Sequence, residues 1–144
     1  MTDRQLKSFG VLIGILFLIS TTMECFTMEG RDATGYYGFV ALLLGWMNLN
    51  YLIIIWFANP LFLISLVMYF TREDLKLSLI LSVVSSILAF SFFLIDAEVL
   101  INEAGHYKTV DRYLLGYWLW LFSHIWLFIM TLIRLKRQQK TTQS

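Results

Sequence analysis

Asn59, Pro60, Ser85, Ser86 and His124 are the residues of this chain whose chemistry stands out inside its apolar runs. Polar side chains within a membrane helix are costly and mark functional or packing positions. Pro60 is the only proline. It has no amide proton, so a helix through it leaves the carbonyl of Trp56 without its usual donor. His124 or a serine of the third apolar run could supply one. Two meanings are open for this layer. It is either a clasp that fixes helix packing or a site for a small ligand, a proton or an ion. Hydrogen bonds between membrane helices contribute about 0.6 kcal/mol on average, and the clasp is the expected meaning.

A second polar group gathers near the predicted ends of the runs: Glu24, Asn48, Asn50, Asp96, Tyr117 and Trp120, with Arg31 and Arg112 available to pair with the acids. Tyr113, Tyr117, Trp120, His124 and Thr131 repeat at helical spacing and form an aromatic stripe, read as core plus interfacial belt rather than a cleft. Ser78, Ser82, Ser85 and Ala89 form a small-residue face, and Gly10 and Gly14 form a GxxxG pair, both suited to close packing. Glu98, Glu103, His106 and Asp111 match no metal-ligand spacing, so no metal site is expected. Phosphate-binding, dinucleotide, nucleophile and HExxH motifs are absent from the sequence, which argues against an enzyme and against a cofactor. Cys25 is the only cysteine, so no internal disulfide can form.

These residues need elements to hold them. The chain of 144 residues is 58% hydrophobic and 15% charged, with a mean hydropathy of +0.70. Soluble domains average roughly 45–50% apolar and about 25% charged. An integral membrane protein of a single domain is expected, and helices are the default because lipid satisfies no free backbone groups. Four spans are predicted, over residues 9–28, 50–70, 75–95 and 114–135, with an outer loop over 96–113 and a basic tail over 136–144. The first run lacks a small-residue cleavage pattern after its basic start and is expected to be retained as a span. In the turn between the second and third spans, Thr71 is expected to accept from the free amides of the next helix, and Glu73 and Asp74 suit that helix's N-terminus.

Residues 36–70 contain no Asp, Glu, Lys, Arg or His, a stretch of 35. As one helix it would run about 52 Å, against about 30 Å of hydrocarbon. Residues 36–47 are therefore expected to form a short interfacial or re-entrant helix in the outer leaflet, ahead of a span broken at Pro60. The alternative span, over 36–57, would leave 61–70 with Ser65 as its one polar side chain and poorly solvated.

Charge sets the threading. Arg4, Lys7, Arg72, Lys76, Arg134, Lys136, Arg137 and Lys140 fall on one side, eight basic residues against Arg31, Lys108 and Arg112 on the other. The positive-inside rule then places both termini in the cytoplasm. The fold class expected is an all-α, integral membrane four-helix bundle in the cell's inner (plasma) membrane. The net charge of +1 gives no reason to expect nucleic acid as a partner.

Gly45–Trp46, Ala58–Asn59–Pro60, and Gly116–Tyr117–Trp118–Leu119–Trp120 with Ser123 resemble, in order and spacing, a group of small uncharacterised bacterial inner-membrane proteins with four predicted helices. That group carries a proline near the end of its first span, where this chain reads Thr22–Met23–Glu24–Cys25. The resemblance implies the four-helix fold and no activity. The expected function is that of a non-catalytic multi-pass protein acting through contacts with another membrane protein, as an accessory or immunity-like subunit, or with a second copy of itself. Four spans with both termini inside resemble some colicin immunity proteins in topology. The alternative is a subunit that binds or transports a small molecule, lipid or ion through the midplane polar layer.

Overall fold

The computed structural model describes residues 2–28, 36–48, 51–100 and 106–143. Four segments are helical, long and apolar enough to cross a membrane: Asp3–Thr21, Leu52–Thr71, Leu75–Leu94 and Leu115–Lys140. The first is α1. Thr2 opens it with a reciprocal cap: its hydroxyl accepts from the Gln5 amide at 3.3 Å, and the Gln5 side chain accepts from the Thr2 amide at 2.6 Å. The buried face of α1, Leu6, Gly10, Ile13, Phe17 and Ser20, has the spacing of one helical stripe.

This helix ends seven residues before the predicted limit of 28, at Thr21. Ser20, Thr21 and Thr22 turn their hydroxyls back onto the carbonyls of Phe17, Leu18 and Ile19. Those bonds satisfy the last turn and end the helix without a glycine or proline. Residues Glu24–Met28 then form strand β1. The expectation of an all-α chain is corrected here. Strands β2 (Tyr36–Tyr37), β3 (Glu98–Leu100) and β4 (Tyr107–Tyr113) join β1 in a four-stranded antiparallel sheet of order β2-β1-β4-β3. The predicted outer loop over 96–113 thus holds a β3–β4 pair, with Glu98 opposite Thr109 and Leu100 opposite Tyr107.

Residues 36–47 hold a short helix as expected: α2 (Gly38–Leu44), running into a 3₁₀ turn (Gly45–Met47). The second long segment is broken into α3 (Leu52–Trp56) and α4 (Ala58–Thr71), at Phe57. Arg72 closes α4 in the left-handed conformation, φ 64°, with its amide bonded to the Met68 carbonyl at 2.9 Å. Helix α5 (Leu75–Leu94) is capped by Asp74, not by Thr71. The Asp74 carboxylate accepts from the amides of Lys76 and Leu77 at 3.0 and 2.9 Å. The carboxylate also suits the positive end of the helix dipole. Helix α6 (Leu115–Gln143) carries the last segment, and the basic tail continues it to residue 143.

In the bundle, α6 lies between α1 and α5, and α4 packs along α5. The small-residue face of α5 allows this. Ser78 and Ser65 exchange hydroxyl-to-carbonyl bonds at 2.9 and 2.8 Å across the α4–α5 contact. Gly10 and Gly14 face α4 within the same chain. A methyl group on Gly10 would come within 2.8 Å of Tyr69 and 2.7 Å of Phe70, whereas one on Gly14 would meet only Leu66, at 3.6 Å. At the far end from the sheet, the Tyr69 hydroxyl donates to the Leu6 carbonyl at 2.7 Å and ties α4 to α1.

The sheet locks to the bundle where Gly116 meets β1. A Cβ there would lie 2.6 Å from the Glu24 carbonyl oxygen, a backbone atom that cannot swing aside. Gly116→Ala is therefore expected to destabilise the protein by about 1–3 kcal/mol, the usual cost of overpacking. Gly14→Ala, in ordinary contact, is the control and should leave the thermal midpoint in detergent nearly unchanged. Equal midpoints for the two variants would refute this account of the joint.

Candidate functional site

The break at Phe57 decides the polar layer. With Pro60 in place, the Trp56 carbonyl has no amide at its usual position. The donor is neither His124 nor a serine of α5, as expected from the sequence, but Asn59 itself. Its Nδ2 donates to the Trp56 carbonyl at 3.1 Å. Its Oδ1 accepts from Trp120 Nε1 at 2.9 Å. One side chain thus repairs the broken helix and joins it to α6. Ser85 adds α5 to the same junction, donating to the Ala58 carbonyl at 2.9 Å.

His124 sits one turn beyond Trp120 and is fully buried. Its Nδ1 lies 2.8 Å from the Trp120 carbonyl, an acceptor only, so Nδ1 carries the proton. Among the described residues Nε2 has no hydrogen-bond partner. The rings of Phe62, Trp120 and Phe17 surround the imidazole at centroid distances of 4.5, 4.7 and 6.0 Å. Pro60 is half-buried beside this group. Ser86 is not part of it, because its hydroxyl bonds back to the Ser82 carbonyl on its own helix at 2.7 Å. The structure therefore joins Asn59 and His124 to Trp120, brings Ser85 to the adjoining break through the Ala58 carbonyl next to Asn59–Pro60, and leaves Ser86 out.

The predicted outer cluster does not assemble as one site. Tyr117 and Trp120 turn inward, and the Tyr117 hydroxyl donates to the Ala89 carbonyl at 3.1 Å. Tyr113 belongs to β4 rather than to the helical stripe, with its hydroxyl on the Phe92 carbonyl at 2.6 Å. Burial raises the Tyr113 phenol above its ordinary range, and the nearby Asp96 and Tyr51 add to that. Asp96 is exposed, and its backbone carbonyl accepts from the Tyr51 hydroxyl at 2.8 Å. Glu24 lies on β1, in the pair with Tyr37. Asn48 is buried and structural: Oδ1 accepts from the Leu100 amide at 2.8 Å, and Nδ2 donates to the Gly45 carbonyl at 3.1 Å. Asn50 lies outside the described residues. Among the described residues, no three His, Cys, Asp or Glu side chains converge on a point where a metal ion would fit.

Two features escaped the sequence reading. One is Arg134, which is nearly fully buried. It donates to the Tyr69 carbonyl, stacks 4.5 Å over the Tyr69 ring and approaches the Asp3 carboxylate at 3.3 Å. Arg72 pairs with the same carboxylate. The basic pattern around residue 134 signals a topology anchor and gives no hint of burial. The other is a cavity of about 100 Å³ at the sheet end of the bundle, bordered by α1, β1, α2, α3 and α6. Asn59 and Trp120 form part of its wall, but His124 does not. Cys25 also lines it, and burial pushes the thiol up to about 12.

The Asn59–Trp120 bond gives a direct test of the clasp. Asn59→Ala and Trp120→Phe should each destabilise the protein, and the double variant should lose less than their sum, with a coupling of about 0.5–2 kcal/mol. Unfolding in mixed micelles measures it, and strict additivity would exclude the clasp. For Cys25 burial lifts the folded thiol to about 12, well above the ordinary thiol range of an unfolded chain, so stability is constant below about pH 8 and falls as pH rises past about 9. At pH 8 the folded thiolate fraction is on the order of one in ten thousand. Maleimide should label Cys25 rapidly only after unfolding, and fast labelling of folded protein would contradict the burial. No protein-family model, curated protein or solved structure matches this chain.

Proposed function

We propose that this chain is a non-catalytic multi-pass protein of the inner (plasma) membrane, with both termini cytoplasmic, that works by contacting another membrane protein as an accessory or immunity-like subunit. The observation that carries this reading is the closure of the midplane layer. Asn59, Ser85 and Trp120 bond to one another or to backbone carbonyls, and His124 is boxed by aromatic rings and lies outside the wall of the cavity at the sheet end. A conduction or catalytic path needs polar groups facing a space that solvent or substrate can enter. This layer is internal structure instead.

The threading is supported by how charge is grouped. The start of α1, the α4–α5 turn and the end of α6 meet at one end through Asp3, Arg72 and Arg134. The basic residues of the positive-inside count belong to that end. Helix α2 holds no polar side chain, and its Phe39, Leu43 and Leu44 are about half exposed or more, at 49%, 63% and 48%. Such a surface suits the outer leaflet and not water. The sheet is then the part offered outside the membrane. A folded plate with exposed Tyr107, Asp111 and Arg112 on β4 gives a partner a fixed surface to read, without the ordering cost of a loop.

The test separates surface from core. A partner retained in mild detergent should be lost from the double variant Asp111→Lys, Arg112→Glu, with the thermal midpoint unchanged. Asn59→Ala should do the opposite, lowering the midpoint while the partner stays bound to the folded fraction. The reading fails if the charge-reversed protein keeps every partner. It also fails if Asn59→Ala or His124→Ala changes a ligand or ion response in protein that remains folded.

A further inference from the structure

We infer that the cavity at the sheet end is a binding site for one hydrocarbon chain of a membrane lipid, entered from the outer leaflet beside α2. The wall decides the chemistry. Among the described residues it contains no Asp, Glu, Lys, Arg or His, so an ionised group inside would be desolvated with no opposite charge from them. Its polar side chains already bond within the protein. Ser20 and Thr21 donate to their own helix, Trp56 Nε1 to the Leu42 carbonyl at 2.9 Å and Trp120 Nε1 to Asn59. Asn48, Asn59 and Tyr117, also in the wall, are bonded to backbone or to Trp120, and Tyr36 stacks on Phe26. Phe17, Phe26, Leu52, Ile55, Phe92 and Val99 supply much of the apolar surface.

The position of the mouth decides the source. Wall residues that keep partial exposure, among them Ala41, Leu42, Gly45 and Trp56, lie along α2 and its contact with α3. The other side of α2 presents Phe39, Leu43 and Leu44, so the mouth opens within an apolar surface. The roof itself is held at both ends by glycine contacts. A Cβ on Gly38 would lie 2.6 Å from the Ser20 carbonyl oxygen, and one on Gly45 would lie 2.6 Å from the Trp56 ring. The space of about 100 Å³ is smaller than the ~150 Å³ apolar cavity that admits benzene and stays dry. It fits the end of a chain, not a whole lipid. The site is independent of any partner contact on the sheet.

The experiment uses the full chain in vesicles of phosphatidylethanolamine and phosphatidylglycerol, doped with a phospholipid carrying a diazirine near one chain terminus. After illumination, mass spectrometry maps the crosslinks. Buried wall residues Phe26 and Leu52 should be labelled, together with the outward-facing Leu18 and Ile87. Ala41→Trp, or the milder Ala41→Leu, fills the cavity. Each should cut the wall labelling by on the order of tenfold, equivalent to about 1.4 kcal/mol of binding, and leave Leu18 and Ile87 labelled as before. Wild-type labelling confined to Leu18, Ile87 and other outward side chains overturns the proposal, whichever variants fold. So does wall labelling that persists in a folded, filled variant, or a wall that crosslinks to a protein in place of lipid.

Discussion

A proline inside an apolar helix leaves one carbonyl without an amide, and lipid offers nothing to replace it. In this chain that carbonyl is on Trp56, and much of the arrangement around the bundle's centre follows from how it is satisfied. Asn59 reaches back to it and, through its other end, takes the indole proton of Trp120. Trp120 in turn offers its carbonyl to His124 and Ser123. Segment Leu52–Thr71 is thereby fixed to α6 at the place where its own backbone is weakest. On one side of the break α4 packs on α5 and reaches α1 near Gly10; on the other, α3 packs on α5 and the 3₁₀ turn. The break lets one segment serve two different sets of neighbours.

The sheet solves the same problem of backbone satisfaction at the end of the bundle. Strand β1 follows α1, β3 follows α5 and β4 precedes α6, so pairing the strands ties three helix ends together. The segment that enters α3 is outside the sheet and is tied by side chains instead: Asn48 to the Leu100 amide and Tyr51 to the Asp96 carbonyl. The opposite end uses charge, with Arg72 and Arg134 sharing Asp3. A buried arginine is tolerated there because a carbonyl, a carboxylate and the Tyr69 ring all face it.

How much of this was legible in the sequence depended on range. The spans follow from long apolar runs and the charge asymmetry, and a polar layer at one depth follows from counting along helices of known rise. The repaired carbonyl at Trp56 was also legible, but its donor was not. A donor in the same turn and one on another helix satisfy the same rule, and only packing chooses Asn59. The sheet was hidden for a different reason. Cys25, Phe26 and Met28 extend the apolar run of α1, and five residues are too few to distinguish period 2 from period 3.6. The strand that pairs with β1 begins at Tyr107, far along the chain. The hydroxyl run Ser20–Thr21–Thr22 was the available local signal that the helix stops.

The cavity sits where these constraints leave slack. Helices α1 and α6 pack continuously, as do α4 and α5, but the proline break and the sheet draw α3 and the end of α1 into different partnerships. Neither helix fills the space between them. Helix α2, only seven residues long, covers it as a separate piece. Its glycine flanks permit close seating at the ends and leave the middle, Ala41 and Leu42, standing over the gap. A larger side chain at residue 41 would fill that space. Small alanine at this position keeps it open, so the hollow is a property of sequence and not only of backbone geometry.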